Sequence, residues 1–189
     1  MSNNFSKTRI LVECGLMIAI GTILSQIKVF ELPTGGSITA FSMLPFVLVS
    51  FRHGVKWGLA TGFVNSLLQM LLNFYAPPSN TIIALVGMIL LDYVIAFSGL
   101  GLAGFFAKPF KNKAFGVGVG TAAVCFLRFC CSFLSGVLIW GSYAPEGQAV
   151  WYYSLTYNGS YMLPEMILTT AAAVLLYLSA PTLFSAQSK

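Results

Sequence analysis

Three ionisable residues, Asp92, Arg128 and Glu165, stand inside otherwise apolar stretches of the sequence. If these stretches are helices in a bilayer, each such side chain near mid-membrane costs roughly 2.5–3.5 kcal/mol on insertion scales and needs a partner or a function. Arg128 could simply pair with one acid and hold the helices together, but the other acid would then be unexplained. Two carboxylates and one guanidinium leave a negative charge that a permanently cationic ligand would neutralise. Glu13 is not counted here, because it lies near the end of its stretch and can reach the membrane surface.

The residues that follow Arg128 extend this charged site towards one membrane surface. Ser132, Gly136 and Trp140 recur at every fourth position after Arg128, so a helix would place all four residues on one face. That face would carry a charge in the membrane and an aromatic ring near its surface.

The segment before the last apolar stretch is rich in aromatic residues. Asn158 follows this segment, seven positions before Glu165 and on the same helical face. An interfacial aromatic belt would explain any one of the rings. Rings above a charged pocket would also attract a cation, by about 0.5–2 kcal/mol each, and would stack on planar heterocycles. We therefore predict an outward-facing pocket for a flat, positively charged small molecule. The aromatic residues are Tyr143, Trp151, Tyr152, Tyr153 and Tyr157.

The composition predicts the kind of structure that positions these residues. The chain has 189 residues, of which 57% are hydrophobic and only 8% are charged, whereas a typical soluble domain has about 25% charged residues. A spanning helix needs about 20 mostly apolar residues. We therefore predict an all-α integral membrane protein, a bundle of six transmembrane helices forming a single domain over residues 1–189. The second helix is short and contains Pro45, so we expect it to be bent, tilted or partly buried. The six apolar stretches are 10–27, 38–51, 55–75, 81–107, 114–140 and 159–184.

Several other classes of function are excluded. No phosphate-binding loop of the G-x-x-x-x-G-K-[ST] type is present, so any ATP coupling would come from a partner. The net charge of +5 is divided among short groups, which argues against nucleic acid. The four cysteines lie in apolar stretches without a C-x-x-C pair, so neither a disulfide framework, a metal site nor a cofactor is expected. Gly99, Gly101 and Gly104 match a dinucleotide fingerprint but lie in an apolar stretch, which favours close helix packing.

Basic residues between the stretches predict the orientation, since Lys and Arg are retained on the cytoplasmic side. All but Lys28 fall on one side, so both termini are predicted to be cytoplasmic and the segments 28–37, 74–80 and 141–158 to lie outside. Asp92, Arg128 and Glu165 would then lie in the outer half of the membrane or near its midplane. The cytoplasmic basic residues are Lys7, Arg9, Arg52, Lys56, Lys108, Lys111, Lys113 and Lys189.

Four stretches carry a resemblance to a known family. Over nearly its whole length the chain is similar to the thiamine-specific substrate-binding (S) component of energy-coupling factor (ECF) transporters. The resemblance implies a multi-pass protein of the bacterial plasma membrane that binds thiamine from outside. It also implies as partners a transmembrane coupling subunit and two cytoplasmic ATPases. The stretches are LPTGGSIT at 32–39, LDYVIAF at 91–97, SGVLIWGSYAPEG at 135–147 and YSLTYN at 153–158.

The resemblance also implies a set of substrate-binding residues. Ser132 stands where some members have His, and Gly36 and Ala40 stand where some members have Trp and an acid. Glu165 is expected to replace that missing acid. The full set is Asp92, Tyr93, Arg128, Ser132, Trp140, Tyr153, Asn158 and Glu165.

Helix 1 is expected to contact the coupling subunit. Gly15 and Ala19 form a small-xxx-small pattern, which permits close approach of another helix. Similar small residues in the family's first helix face the coupling subunit.

Two other functions remain open from the sequence. The same scaffold could carry another heterocycle, such as a hydroxymethylpyrimidine or riboflavin, although a negatively charged site argues against neutral riboflavin. An intramembrane enzyme could use Asp92 and Glu165 as an acid–base pair. No intramembrane His or activated nucleophile supports that reading, so we expect no enzymatic activity.

Overall fold

The computed structural model describes residues 2–32 and 36–185 and is mostly helical. Four of its helices are long and apolar enough to cross a membrane: Lys7–Gln26, Ile82–Ala107, Lys113–Leu138 and Val150–Ser179. Lys189 and residues 33–35 of the first family-like stretch lie outside the described residues. The helices are α1 (Ser2–Gln26), α2 (Leu44–His53), α3 (Val55–Leu72), α4 (Ile82–Ala107), α5 (Lys113–Leu138) and α6 (Val150–Ser179), and the strands are β1 (Lys28–Glu31) and β2 (Ser37–Thr39).

The prediction of a purely helical chain was wrong between α1 and α2. Strands β1 and β2 pair antiparallel, with Lys28 opposite Thr39 and Glu31 opposite Ser37. The second apolar stretch therefore begins as a strand, and its helix starts only at Leu44. Pro45 lies in the first turn of α2, where a missing N–H costs no helical hydrogen bond, so it begins the helix rather than interrupting it.

Helix α2 is too short to cross a membrane. Its 10 residues span about 15 Å, half of a hydrocarbon core of about 30 Å. Residues 45–50 are buried, and Phe46 and Val47 pack in a core cluster with Leu100 and Val124. The expectation of a short, partly buried second helix is confirmed. Gly54, at φ 87°, forms the whole connection to α3, a backbone conformation that favours glycine.

Helix α4 departs from regular α geometry in two places. Residues Ile89–Ile95 form a π-helical turn, and Gly99–Leu102 form a 3-10 turn. At the 3-10 turn, a side chain at Gly101 would overlap the backbone of Gly58 in α3. The interpretation of the glycines as a close-packing pattern is confirmed.

Helix α6 begins earlier than predicted. The segment 141–158 was expected to be an outer loop, but α6 starts at Val150. The aromatic residues from Trp151 to Tyr157, and Asn158 with them, therefore lie on a helix whose first turns precede the apolar stretch.

Helix α1 and the C-terminal segment meet at Arg52. Its Nε donates to Glu13 Oε2 at 2.7 Å, and its Nη1 donates to the carbonyl oxygens of Thr182 and Ser185 at 3.1 Å each. Glu13 also pairs with His53 Nε2 at 2.8 Å. This cluster ties α1, α2 and the C-terminal 3-10 turn (Pro181–Phe184) together at one end of the bundle.

Candidate ligand-binding site

A cavity of about 520 Å³ opens at the end of the bundle opposite to Arg52. Its volume lies in the range of about 300–1,000 Å³ that is usual for small-molecule sites. The β1–β2 hairpin and helices α1, α3, α4, α5 and α6 all contribute to it. Glu165 is the member of the predicted site that does not line it. The predicted residues that do line it are Asp92, Tyr93, Arg128, Ser132, Trp140, Tyr153 and Asn158.

Asp92 is positioned by the π-helical turn of α4. Its Oδ2 accepts hydrogen bonds from Ser135 Oγ at 2.6 Å and Trp140 Nε1 at 3.1 Å. Within the described residues Asp92 forms no ion pair. Both donors are neutral, so they hold the carboxylate in place without neutralising it. Isolated π turns inside α-helices are frequent at functional sites.

Arg128 lines the cavity and pairs with Glu165, which lies behind it. Arg128 Nη1 lies 3.4 Å from Glu165 Oε2, and its guanidinium carbon lies 4.7 Å from the centre of the Phe97 ring. Glu165 is 2% exposed and also accepts a hydrogen bond from Thr39 Oγ1. The two acids are therefore not equivalent: Glu165 neutralises Arg128, and Asp92 faces the cavity.

Aromatic residues form the outer wall of the cavity. The rings of Tyr153 and Tyr157 stack, with centroids 5.8 Å apart and planes 23° apart. The ring centroids of Trp140 and Tyr143 lie 5.9 Å apart. The hydroxyl of Tyr157 accepts a hydrogen bond from the backbone N–H of Gly36 at 2.9 Å, which ties the hairpin to α6.

Asn158 and Tyr93 face the cavity but are engaged by neighbouring groups. Asn158 Nδ2 donates to the carbonyl of Ser154 at 3.0 Å, and its Oδ1 accepts from Tyr161 OH at 2.9 Å. The hydroxyl of Tyr93 donates to the backbone oxygen of Asn73 at 2.7 Å, which joins α4 to the end of α3.

Sequence reasoning missed a polar wall contributed by α1 and α3. Gln69 Nε2 donates to Ser25 Oγ at 3.0 Å, and Asn73 Nδ2 donates to Gln69 Oε1 at 3.0 Å. All three side chains line the cavity. The available signal was a pair of amide side chains, Gln69 and Asn73, four residues apart at the end of an apolar stretch.

The hairpin explains one departure from the family pattern. Gly36 is buried and lines the cavity, and a Cβ at this position would lie 2.6 Å from the ring of Tyr161. Tyr161 thus occupies the space that a side chain at residue 36 would need. Ala40 does not line the cavity.

The predicted docking residues lie away from the cavity. Gly15 and Ala19 are exposed on α1, and a Cβ at Gly15 would meet no other atom within 4 Å. Exposed apolar residues flank them on the same face, including Val12, Leu16 and Ile23.

Comparisons with known proteins find related sequences over most of the chain. Residues 11–185 match the family described as "Thiamine transporter protein (Thia_YuaJ)". The chain is 36% identical over 185 residues to the thiamine transporter ThiT of Bacillus subtilis (strain 168), covering 92% of each chain. It is 33% identical over 156 residues to ThiT of Lacticaseibacillus paracasei (strain ATCC 334), covering 78% of this chain and 76% of that protein.

A solved structure shows the same fold. ThiT from Listeria monocytogenes superposes with a TM-score of 0.79 at 23% identity, covering 95% of this chain and 99% of that one. The family is one of transporters rather than enzymes, and the four long apolar helices fit a multi-pass membrane protein. By its sequence match and its fold, the chain belongs to the thiamine transporter protein family.

Proposed function

We propose that this protein is the thiamine-binding membrane subunit of an ATP-driven importer of the ECF type. It would take thiamine from outside the bacterial plasma membrane and deliver it inward with a coupling subunit and two ATPases. The observation that carries the proposal is the carboxylate of Asp92, which lines an aromatic cavity and forms no ion pair within the described residues.

Thiamine is a flat aminopyrimidine joined to a permanently cationic thiazolium ring. The Asp92 carboxylate supplies the opposite charge, and the faces of Trp140, Tyr143 and Tyr153 add cation–π and stacking interactions. The amides of Gln69 and Asn73 line the same cavity and offer donors and acceptors for the pyrimidine nitrogens. Arg128 and Glu165 neutralise each other, so the net charge of the site falls on Asp92.

The proposed topology follows from the two ends of the bundle. Lys56, Lys108 and Lys113 lie at the end opposite to the binding cavity, where Arg52 also joins α1 to the C-terminal 3-10 turn. Since basic residues are retained in the cytoplasm, this end would be cytoplasmic and the cavity would open outward. Residues 1–189 would form one domain of six membrane segments, of which α2 reaches only halfway.

Coupling to ATP would require partners, because the sequence has no phosphate-binding loop. Gly15 and Ala19 offer a smooth strip on α1 where another helix can approach closely. Because this strip is separate from the cavity, binding of thiamine and docking of the coupling subunit would use different surfaces.

The alternative of an acid–base enzyme loses its geometric basis. Glu165 does not line the cavity, and Arg128 stands between it and the ligand space. The two acids therefore do not face one substrate.

A titration tests the proposed function. Thiamine should quench the tryptophan fluorescence of the purified protein in the absence of ATP. The quenching should saturate at about one ligand per chain. Trp140 lines the cavity, so Trp140→Phe should reduce the quenching. Quenching by riboflavin or a hydroxymethylpyrimidine but not by thiamine would refute the assignment.

A further inference from the structure

A second cavity, of about 980 Å³, opens at the end of the bundle opposite to the thiamine site. Three lysines from different places in the chain line it: Lys56 at the start of α3, Lys108 after α4 and Lys113 at the start of α5. All three are exposed. Within the described residues none of their ammonium groups forms a hydrogen bond or an ion pair.

Among the residues that the structure describes, no carboxylate lines this cavity. The nearby acid, Glu13, is engaged by Arg52 at 2.7 Å and by Arg9 at 3.0 Å. His53 lines the cavity, but its Nε2 is also taken up by Glu13, at 2.8 Å. Within the described residues, the three lysines around this opening thus have no negatively charged partner. Their mutual repulsion is unfavourable, and a bound anion would relieve it.

The inner walls of the cavity are aromatic and apolar. Phe184 of the C-terminal 3-10 turn packs against Phe51, with ring centroids 5.7 Å apart, and against Tyr177 at 5.3 Å. Trp57 lines the same space. A small inorganic anion would use the lysines but not these walls. A phospholipid would use both, because its charged phosphate adjoins an apolar glycerol ester and acyl chains.

We propose that this cavity binds the phosphate-bearing headgroup of an anionic phospholipid. The lysines would contact the phosphate, and the aromatic walls would contact the glycerol and the first acyl carbons. Basic pockets between helices on the cytoplasmic side are suited to such headgroups. The lipid would come from the inner leaflet, given the orientation proposed above, but the binding chemistry itself does not depend on thiamine.

The test compares lipid binding by matched variants. Native mass spectrometry of purified protein titrated with phosphatidylglycerol should show about one tightly retained lipid, and phosphatidylcholine should be retained far less. Lys56→Gln with Lys113→Gln should weaken retention of phosphatidylglycerol by roughly 30-fold, from about 1 kcal/mol for each lysine. Lys7→Gln with Lys111→Gln removes the same charge outside the cavity and should have little effect.

Three outcomes would overturn the proposal. Equal losses in both double variants would mean that net charge alone attracts the lipid. Equal retention of phosphatidylcholine would mean that the lysines select nothing. Competition by millimolar inorganic phosphate as effective as that of the lipid would identify a small-anion site instead. Circular dichroism melting curves, expected to be the same for all variants, establish that a loss of lipid is not a loss of fold.

Discussion

Replacing Asp92 by Asn tests the charge assignment at the centre of the proposed thiamine site. The Asn side chain keeps the shape of Asp and an oxygen that can accept from Ser135 Oγ and Trp140 Nε1, so the local packing should persist. Only the negative charge is lost. An interaction with a charged partner contributes about 1.5–3 kcal/mol, which corresponds to a rise in the Kd for thiamine of roughly 10- to 150-fold.

Two further variants give this measurement its meaning. Arg128→Lys preserves the charge opposite Glu165 and loses the planar group over Phe97, so we expect a smaller rise in Kd than for Asp92→Asn. Glu146→Gln removes an exposed carboxylate in the loop before α6 that does not line the cavity, and it should leave the Kd unchanged. Isothermal titration calorimetry in detergent measures all three.

The neutral aminopyrimidine fragment of thiamine separates two roles of Asp92. If the carboxylate faces the thiazolium ring, Asp92→Asn should lower the affinity for thiamine but leave the affinity for the fragment almost unchanged. A larger loss for Arg128→Lys than for Asp92→Asn would refute the reasoning, because Arg128 would then contact the ligand and Asp92 would only support it.

Two predictions concern the glycines. Gly101→Ala should lower the thermal midpoint by roughly 2–10 °C, because its Cβ would overlap the backbone of Gly58 and such overpacking costs about 1–3 kcal/mol; Gly15→Ala, which meets no atom, should not lower it, and equal midpoints would contradict the packing argument. Gly15→Leu with Ala19→Leu should leave thiamine affinity unchanged but abolish uptake of labelled thiamine by cells expressing the full complex, whereas Ala60→Leu on the exposed side of α3 should not affect uptake. Uptake that survives the double change would exclude this docking face, and a fall in affinity would contradict the separation of docking from binding.

The sequence predicted the parts of the site that depend on regular helical geometry and on the cost of burying charge. Arg128, Ser132 and Gly136 do line one cavity, because a four-residue spacing in a regular helix needs no tertiary information. Trp140 also lines the cavity, although α5 ends at Leu138 and the predicted helical face does not extend to it. The division of labour between Asp92 and Glu165 could not be predicted, since it depends on which helix stands behind Arg128.

Other features were hidden because they depend on tertiary contacts. The hairpin is stabilised partly by the contact of Gly36 with Tyr157, which lie far apart in the sequence. The first turns of α6 contain Trp151 and Tyr152, which are exposed and resemble an interfacial loop in composition. The π turn of α4 leaves no periodic signal, because the residues around it are apolar on every face.

The π turn gives α4 two independent registers. A regular α-helix advances by roughly 100° per residue, so a single extra residue rotates everything beyond it by about that angle. Within the turn, the helix presents Asp92 to the cavity; beyond it, the helix presents Gly101 to the backbone of Gly58. In a uniform α-helix the orientation of Asp92 would fix that of Gly101. Here the residues at the cavity can change in evolution without disturbing the contact between Gly101 and Gly58. Deleting one residue within Ile89–Ile95 would rotate the two parts of α4 relative to each other by about 100°. Asp92 and Gly101 could then no longer both keep their present orientations.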